Sequence, residues 1–292
     1  MIIVASDLHL RPDTPKARTD DFQAAQWGKL EEIGELCRSK ECLLVLAGDI
    51  GHRPFWPNWM EVRFRECLRH VPVALILGQH DLSRHSLDSL PRTAMGVFCA
   101  ERQGALLRPD KEYIHWGGHD IYGASFGQKP KKVRRRKDRI NVLVCHTLLS
   151  GHKPIPDTPK AEDFLKTWQR YYDLIFVGDN HEPFAFTDKA TLVSPGSMTR
   201  QAADENHEPR VISVMGKRIR YVTLTHEPDV LTREHIERKE EREHHQARFA
   251  ESLAKQKTIN LDFEKAVREG VETETLSDRA KKKALRALEE AA

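Results

Sequence analysis

Residues 1–9 read Met1-Ile-Ile-Val-Ala-Ser-Asp-Leu-His9, an apolar, β-branched run that ends abruptly in Ser6, Asp7 and His9. The run Ile2–Ser6 is about five residues long and does not alternate with polar positions, as expected of a strand buried on both faces. The same device recurs along the chain. Leu43–Ala47 runs into Gly48-Asp49, Val73–Leu77 into Gly78-Gln-His-Asp81, Asn141–Cys145 into His146, and Leu174–Val177 into Gly178-Asp-Asn-His181. Helical spacing lies between several of these runs. Phe22–Cys37 places Phe22, Leu30, Ile33 and Cys37 on one face, and Glu61–His70 and Ala161–Tyr171 are further candidates. Strands alternating with helices predict a layered α/β fold with a largely parallel sheet. After about residue 105 the pattern turns to hairpins. Tyr113–Trp116 and Asp120–Ala124 flank Gly117-Gly118, and Arg210–Met215 and Arg218–Thr223 flank Gly216-Lys217. These predict an antiparallel or mixed sheet packed against the first.

The chain has 292 residues, 47 basic and 44 acidic, so its net charge of +3 excludes a uniformly basic surface. Any nucleic-acid contact must be local. One such place exists: eight of the eleven residues from Lys129 to Arg139 are basic, including Lys131, Lys132, Arg134, Arg135 and Arg136. The five cysteines form no Cys-x-x-Cys pair, which argues against a disulfide framework or a thiolate zinc site and for a reducing compartment. No run of some 18 apolar residues is present, and the first strand begins at once, so a cytoplasmic protein without membrane attachment is expected.

Composition changes near residue 228, where aromatics almost vanish and Glu, Lys, Arg and Ala dominate. The chain is therefore read as a domain at 1–228 and a charged helical tail at 229–292. Helices are expected over Arg233–Lys257, Leu261–Val271 and Asp278–Ala291. The first is polar nearly all round, which suits a segment that docks on a partner or stays solvated.

Five strands in order deliver carboxylate, imidazole or amide groups at their C-terminal ends, the edge at which open α/β sheets bind ligands. The mixture suits Mn²⁺, Fe or Zn better than Ca²⁺. The groups are too many for one four-coordinate ion and suit two ions sharing a carboxylate. His52 and His85 follow the motifs and could line the cleft, but spacing alone does not place them there. His70, His115, His119, His207, His226 and the His244-His245 pair fit no ligand slot and are expected at the surface.

Asp7-Leu-His9, Gly48-Asp49, Gly78-Gln-His-Asp81, His146 and Gly178-Asp-Asn-His181, in that order, resemble the signature of the calcineurin-like metallophosphoesterases. Ser194-Pro-Gly-Ser-Met-Thr-Arg200 resembles the PGS-x-x-R segment of their Mre11/SbcD nuclease branch. The resemblance implies a two-sheet αββα metallophosphoesterase sandwich followed by the charged tail. It implies a first metal on Asp7, His9 and His181, Asp49 bridging, and a second metal on Gln79, His146 and Asp179. It also implies two divalent ions, most often Mn²⁺ with Mg²⁺ as alternative. His80 would be catalytic and Asp81 would orient its ring. Ser197, Arg200 and the basic run would contact DNA. The branch pairs with a Rad50/SbcC-type ATPase, for which the tail is the candidate dock, and forms homodimers. A capping domain often follows the core in that branch; here the hairpin at 210–223 runs straight into the charged helix, so a missing or minimal cap is expected. Two residues depart from the signature: Gln79 stands in place of Asn, and Asp179 in place of His.

The function expected is metal-dependent cleavage of DNA within an Mre11–Rad50-like repair or recombination complex. The alternatives are a phosphoesterase acting on a nucleotide, phosphoprotein or other small phosphoester, and a catalytically weak DNA-end-binding scaffold.

Overall fold

A computed structural model describes residues 1–234 except Glu112, and beyond them only 236–237, 246, 265, 268–271, 278, 281–283 and 286. The chain divides into two units, Met1–Thr232 and Arg233–Ala292. The helices expected over Arg233–Lys257, Leu261–Val271 and Asp278–Ala291 fall for the most part outside the described residues.

The first unit holds two six-stranded sheets. The first contains β1 (Ile2–Ala5), β2 (Leu43–Ala47), β3 (Val73–Ile76) and the short β4 (Ala105–Leu106), all parallel. The second contains β5 (Ile114–Trp116), β6 (His119–Ala124), β7 (Ile140–His146), β8 (Leu174–Gly178), β9 (Phe184–Thr187) and β10 (Thr191–Ser194), in the order β5-β6-β7-β8-β10-β9. Its four central strands run parallel, with the edge strands β5 and β9 antiparallel. The hairpin β11 (Arg210–Met215) and β12 (Arg218–Thr223) joins the first sheet, β11 lying antiparallel to β1 with Ile2 opposite Val214. The sequence had placed this hairpin with the second sheet. Nothing in its own alternation selects a partner, and the pairing spans some two hundred residues.

Successive residues of each central strand face different layers, which is why the runs are apolar throughout. Ile2, Val4, Val45, Val142, Val144 and Phe176 meet between the sheets. Ile3, Ala5, Leu44 and Leu46 face outward under α1 (Phe22–Lys40), α2 (Asn58–Cys67) and α3 (Ala94–Ala100). Leu143, Cys145, Ile175 and Val177 face the other way under α4 (Ala161–Trp168). The result is an αββα sandwich. Helix α1 starts where the Asp21 side chain accepts the Ala24 amide at 3.0 Å and ends at Glu41 in a left-handed conformation (φ 47°). It buries Phe22, Trp27, Leu30, Ile33 and Cys37, the stripe its spacing predicts. Helix α3, β4, β9 and β10 are too short to announce themselves in the sequence.

After β12 the chain stays on the first unit. The Thr19 amide donates to the Val230 carbonyl at 3.0 Å, and the Thr232 amide to that of Ala17 at 2.8 Å. All five cysteines are free. Among the described residues no helix is long and apolar enough to cross a membrane.

Phe176 is fully buried between the sheets. Phe176→Ala is expected to lower stability by about 3–5 kcal/mol. Urea denaturation measures it, and a loss near zero would mean the two sheets do not share this core.

Candidate active site

The chemistry-bearing residues follow the C-terminal ends of β1, β2 and β3 in one sheet and β7 and β8 in the other, so the two sheet edges converge on one cluster. The loops after β1 and β2 continue the ladder beyond the strands. The Asp7 amide donates to the Gly48 carbonyl (3.1 Å), His9 to Asp49 (2.9 Å) and Leu10 to Ile50 (3.0 Å). Asp7, His9, Asp49 and Asp179 have φ of 50°, 45°, 48° and 90°, a left-handed region that side chains other than glycine enter at a cost. The chain thus turns sharply after β1, β2 and β8, which throws these side chains across the sheet edge. Glycines permit the close approach. A Cβ on Gly78 would sit 2.0 Å from Asp49 Oδ1, and one on Gly178 would sit 2.3 Å from Ser6 Oγ and 2.4 Å from the Ala47 carbonyl oxygen.

At the centre is Asp49, 1% exposed. Its Oδ1 accepts the His80 amide at 2.8 Å, and its Oδ2 lies 3.6 Å from His9 Nε2 and 3.4 Å from His146 Nε2. Asp7, His9 and His181 form one group of donors, and Asp7, Asp49 and His146 another. His9 Nε2 and His181 Nε2 face each other at 3.0 Å. Two imidazole lone pairs cannot meet at that distance unless a cation, a proton or a metal, lies between them.

The donor set fits metal ions. His146 Nδ1 is held by the Ala47 carbonyl at 2.8 Å, which fixes one proton there and aims Nε2, buried and without a hydrogen-bond partner, at the carboxylates of the cluster. His181 Nδ1 is held by Glu205 Oε1 at 2.5 Å, again presenting Nε2 to the cluster. Gln79 Oε1 is likewise buried and unpartnered.

Burial would raise the Asp49 carboxyl, but His146, His9 and His80 around it outweigh burial and hold it at about 2. Burial would lower His146, yet Asp49, Asp7 and Asp179 push it up to about 10. Burial also opposes the charge on His181, which Glu205 and Asp7 lift to about 9. Burial raises Asp7 and depresses His9 well below its ordinary value. Without metal, the cluster therefore takes up protons on imidazoles to balance its carboxylates.

Each residue expected at the site from sequence has a definite place. Asp7, His9, Asp49, His146, Asp179 and His181 come together as above, with His146 Nε2 3.9 Å from Asp179 Oδ1. Gln79 and Asp179, the two departures from the motif, touch each other: Gln79 Nε2 donates to Asp179 Oδ1 at 2.7 Å. The longer amide reaches the carboxylate that replaces an imidazole, so the two changes form one unit.

Asp81 does not orient His80. Its Oδ1 accepts the Gly51 amide at 3.0 Å and its Oδ2 the Gly78 amide at 2.9 Å, which ties the loops after β2 and β3 together. Burial, with Asp49 nearby, pushes its carboxyl up to about 7. The ring of His80 is set instead by the His52 carbonyl, 3.0 Å from Nδ1, and by the His52 ring stacked at 5.5 Å. His52 and Glu205 are the site residues that sequence reasoning missed or left open. His52 carried a signal, three residues beyond Asp49; Glu205 had none, because its loop returns from β10.

Ser197 and Arg200 point inward rather than toward DNA. Ser197 is 1% exposed, with its hydroxyl donating to the Thr199 carbonyl, and Arg200 is 7% exposed, with its guanidinium on the carbonyls of Glu227 and Pro228. His119 and His207, expected at the surface, are buried on the carbonyls of Gly216 and Ser197.

The basic run divides. Because β6 and β7 are parallel, the connection between them must travel from the site edge to the opposite edge. Ser125 and Phe126 hold Leu77 beside the site. Arg134–Arg139 then lie at the start of β7, about 20 Å from His146 at its end. There Arg135 pairs with Asp173, and Arg136 with Asp138. The start of the run is anchored by the Lys131 carbonyl, which accepts the hydroxyl of Tyr172 just before β8, with the side chains of Lys131 and Lys132 exposed.

Residues 1–183 match the calcineurin-like phosphoesterase family, and the chain belongs to that family of metallophosphoesterases. A comparison with the curated proteins returned no match. Among solved structures, the chain is similar to a dimetal phosphatase from Danio rerio, at 10% identity over 76% of this chain and 95% of that one, with a TM-score of 0.50. It also resembles a protein from Thermus thermophilus, at 13% identity over 76% and 97%, with a TM-score of 0.47. At these identities the likeness concerns the fold alone.

Metal binding should displace the protons on His146 and His181, whose folded values of about 10 and 9 lie above neutrality. Affinity for Mn²⁺ is thus expected to rise with pH up to that range, with release of roughly two protons per protein at pH 7. Calorimetry in buffers of different ionisation enthalpy counts them; a titration without proton release would contradict this protonation of the metal-free site.

Proposed function

We propose that the protein is a two-metal phosphodiesterase acting on nucleic acid, with DNA as the substrate to test first. The observation that carries the reading is the pair of donor groups, Asp7–His9–His181 and Asp7–Asp49–His146, that share Asp7, with His146 Nε2 and the oxygen of Gln79 buried and without a hydrogen-bond partner beside them. Asp7, His9 and His181 would hold one ion, Gln79, His146 and Asp179 the other, and Asp49 both. Divalent ions, Mn²⁺ by the mixed carboxylate and imidazole donors or Mg²⁺ as the alternative, would supply charge neutralisation on the phosphoryl oxygens and a water acidic enough to attack near neutral pH.

The chain's own residues do the positioning. Glu205 keeps the proton of His181 on Nδ1, and the Ala47 carbonyl does the same for His146. His80 keeps one proton on Nδ1 at the His52 carbonyl, so Nε2 is the atom that faces the site, and the ring would protonate the departing oxygen only as the imidazolium, with a second proton on Nε2. The Gln79 to Asp179 hydrogen bond holds the carboxylate that replaces the usual imidazole. The PGS-x-x-R resemblance and the exposed Lys131 and Lys132 support nucleic acid as substrate. The same resemblance makes a coiled-coil ATPase the partner to seek, through residues 229–292. The inward Ser197 and Arg200 favour a second reading, a small phosphoester as substrate.

Purified protein with Mn²⁺ is assayed on single- and double-stranded linear DNA beside a small chromogenic diester and a monoester. Cleavage of DNA is expected, and His80→Ala should reduce kcat by ~10²–10⁴-fold while Mn²⁺ affinity stays within a few-fold. Intact DNA beside rapid monoester turnover would select the second reading, and a fully active His80→Ala would remove His80 from the chemistry.

A further inference from the structure

A second cluster of buried charge lies away from the metal ligands. Lys29 of α1 is 5% exposed, and its Nζ has a single distant contact, the Ala25 carbonyl at 3.5 Å. Arg200 is 7% exposed; its two terminal nitrogens reach the carbonyls of Pro228 and Glu227, and its Nε is buried without a partner. Arg18 stands beside them, its guanidinium on the Asp20 carboxylate and the Arg200 carbonyl. All three cations line one cavity of about 340 Å³. Asp20 is the one half-buried carboxylate of the lining, and Arg18 already takes it; Glu32, on the Thr225 amide, acts on Lys29, and Asp229 and Glu205 on Arg200, without an ion pair to either cation. The other two carboxylates of the lining, Asp21 and Glu227, are exposed, and Asp21 is occupied in capping α1.

Two buried cations without a carboxylate partner are costly to desolvate unless an anion joins them. Burial, with Arg18 next to it, pulls Lys29 down to about 8, as expected of an ammonium lacking its counter-charge. The free donors are the Nζ protons of Lys29 and the Nε–H of Arg200, a combination that matches an oxyanion. The volume is large for a halide and at the lower end of small-ligand sites.

We propose that this cavity binds a small phosphate-bearing anion, seated between Lys29 and Arg200. The anion is inorganic phosphate or the phosphate of a nucleoside monophosphate. The loop that carries Arg200 also carries Gln201, whose amide group donates to the His9 carbonyl, and Glu205, which holds His181. The site therefore shares a loop with the metal centre while using none of its ligands, and it stands independently of the proposed activity.

The full-length protein is kept metal-free with chelator, and its Tm is followed against inorganic phosphate, with chloride at matched ionic strength as reference. A saturable rise specific to phosphate is expected. Lys29→Met should weaken it by about tenfold or more, while Lys29→Arg and His80→Ala retain it. Adenosine 5′-monophosphate outperforming phosphate would identify a nucleotide as the source, and equal responses would identify free phosphate. A wild-type response no larger than with chloride, or one unchanged in Lys29→Met, overturns the proposal. Should Lys29→Met fail to fold, a crystal of the wild-type protein grown in phosphate decides: density between Lys29 and Arg200 supports the site, and its absence there overturns it.

Discussion

The whole structure depends on burying carboxylates and imidazoles together at the meeting edge of two sheets. Asp49 is the pivot. One oxygen is tied to the backbone of the β3 loop, and the other faces the imidazoles of His9 and His146. A buried carboxylate cluster is untenable without a cation nearby. Every feature around it follows from this requirement: the left-handed turns at Asp7, His9, Asp49 and Asp179, the glycines that leave no Cβ between the loops, and the carbonyls that fix imidazole tautomers.

The sandwich supplies what those turns need. Apolar contact between the sheets holds β2 against β7 and β8, so Asp49 of one sheet meets His146 of the other, and Asp7 accepts the Asp179 amide. The site is an interface between two sheets of one domain. Its precision rests on packing in the inter-sheet core as much as on the residues that carry the chemistry. Asp81 illustrates the division of labour. It sits next to the catalytic candidate His80, yet its two oxygens brace the loops after β2 and β3.

The motif's two departures gain meaning only in three dimensions. Gln79 and Asp179 are one hundred positions apart and read as separate irregularities, but they meet through a hydrogen bond. The basic run shows the opposite case. It reads as one patch beside a ligand strand, but the parallel pairing of β6 and β7 puts Arg134–Arg139 at the start of β7, away from the site, where part of the charge is neutralised by Asp173 and Asp138.

The sequence by itself determined the apolar strands buried on both faces, the polar residues that end them, and hence the family and the cluster Asp7, His9, Asp49, His146 and His181. These are local signals: a run of five apolar residues and the residue that follows carry them. Only the tertiary structure decided which sheet takes the β11–β12 hairpin and that His52 sets the His80 ring. The same holds for Glu205 supporting His181, and for Ser197 and Arg200 turning inward. Each of these depends on pairing or packing between segments far apart in the chain, and the energy of such contacts leaves no mark on the residues next to them.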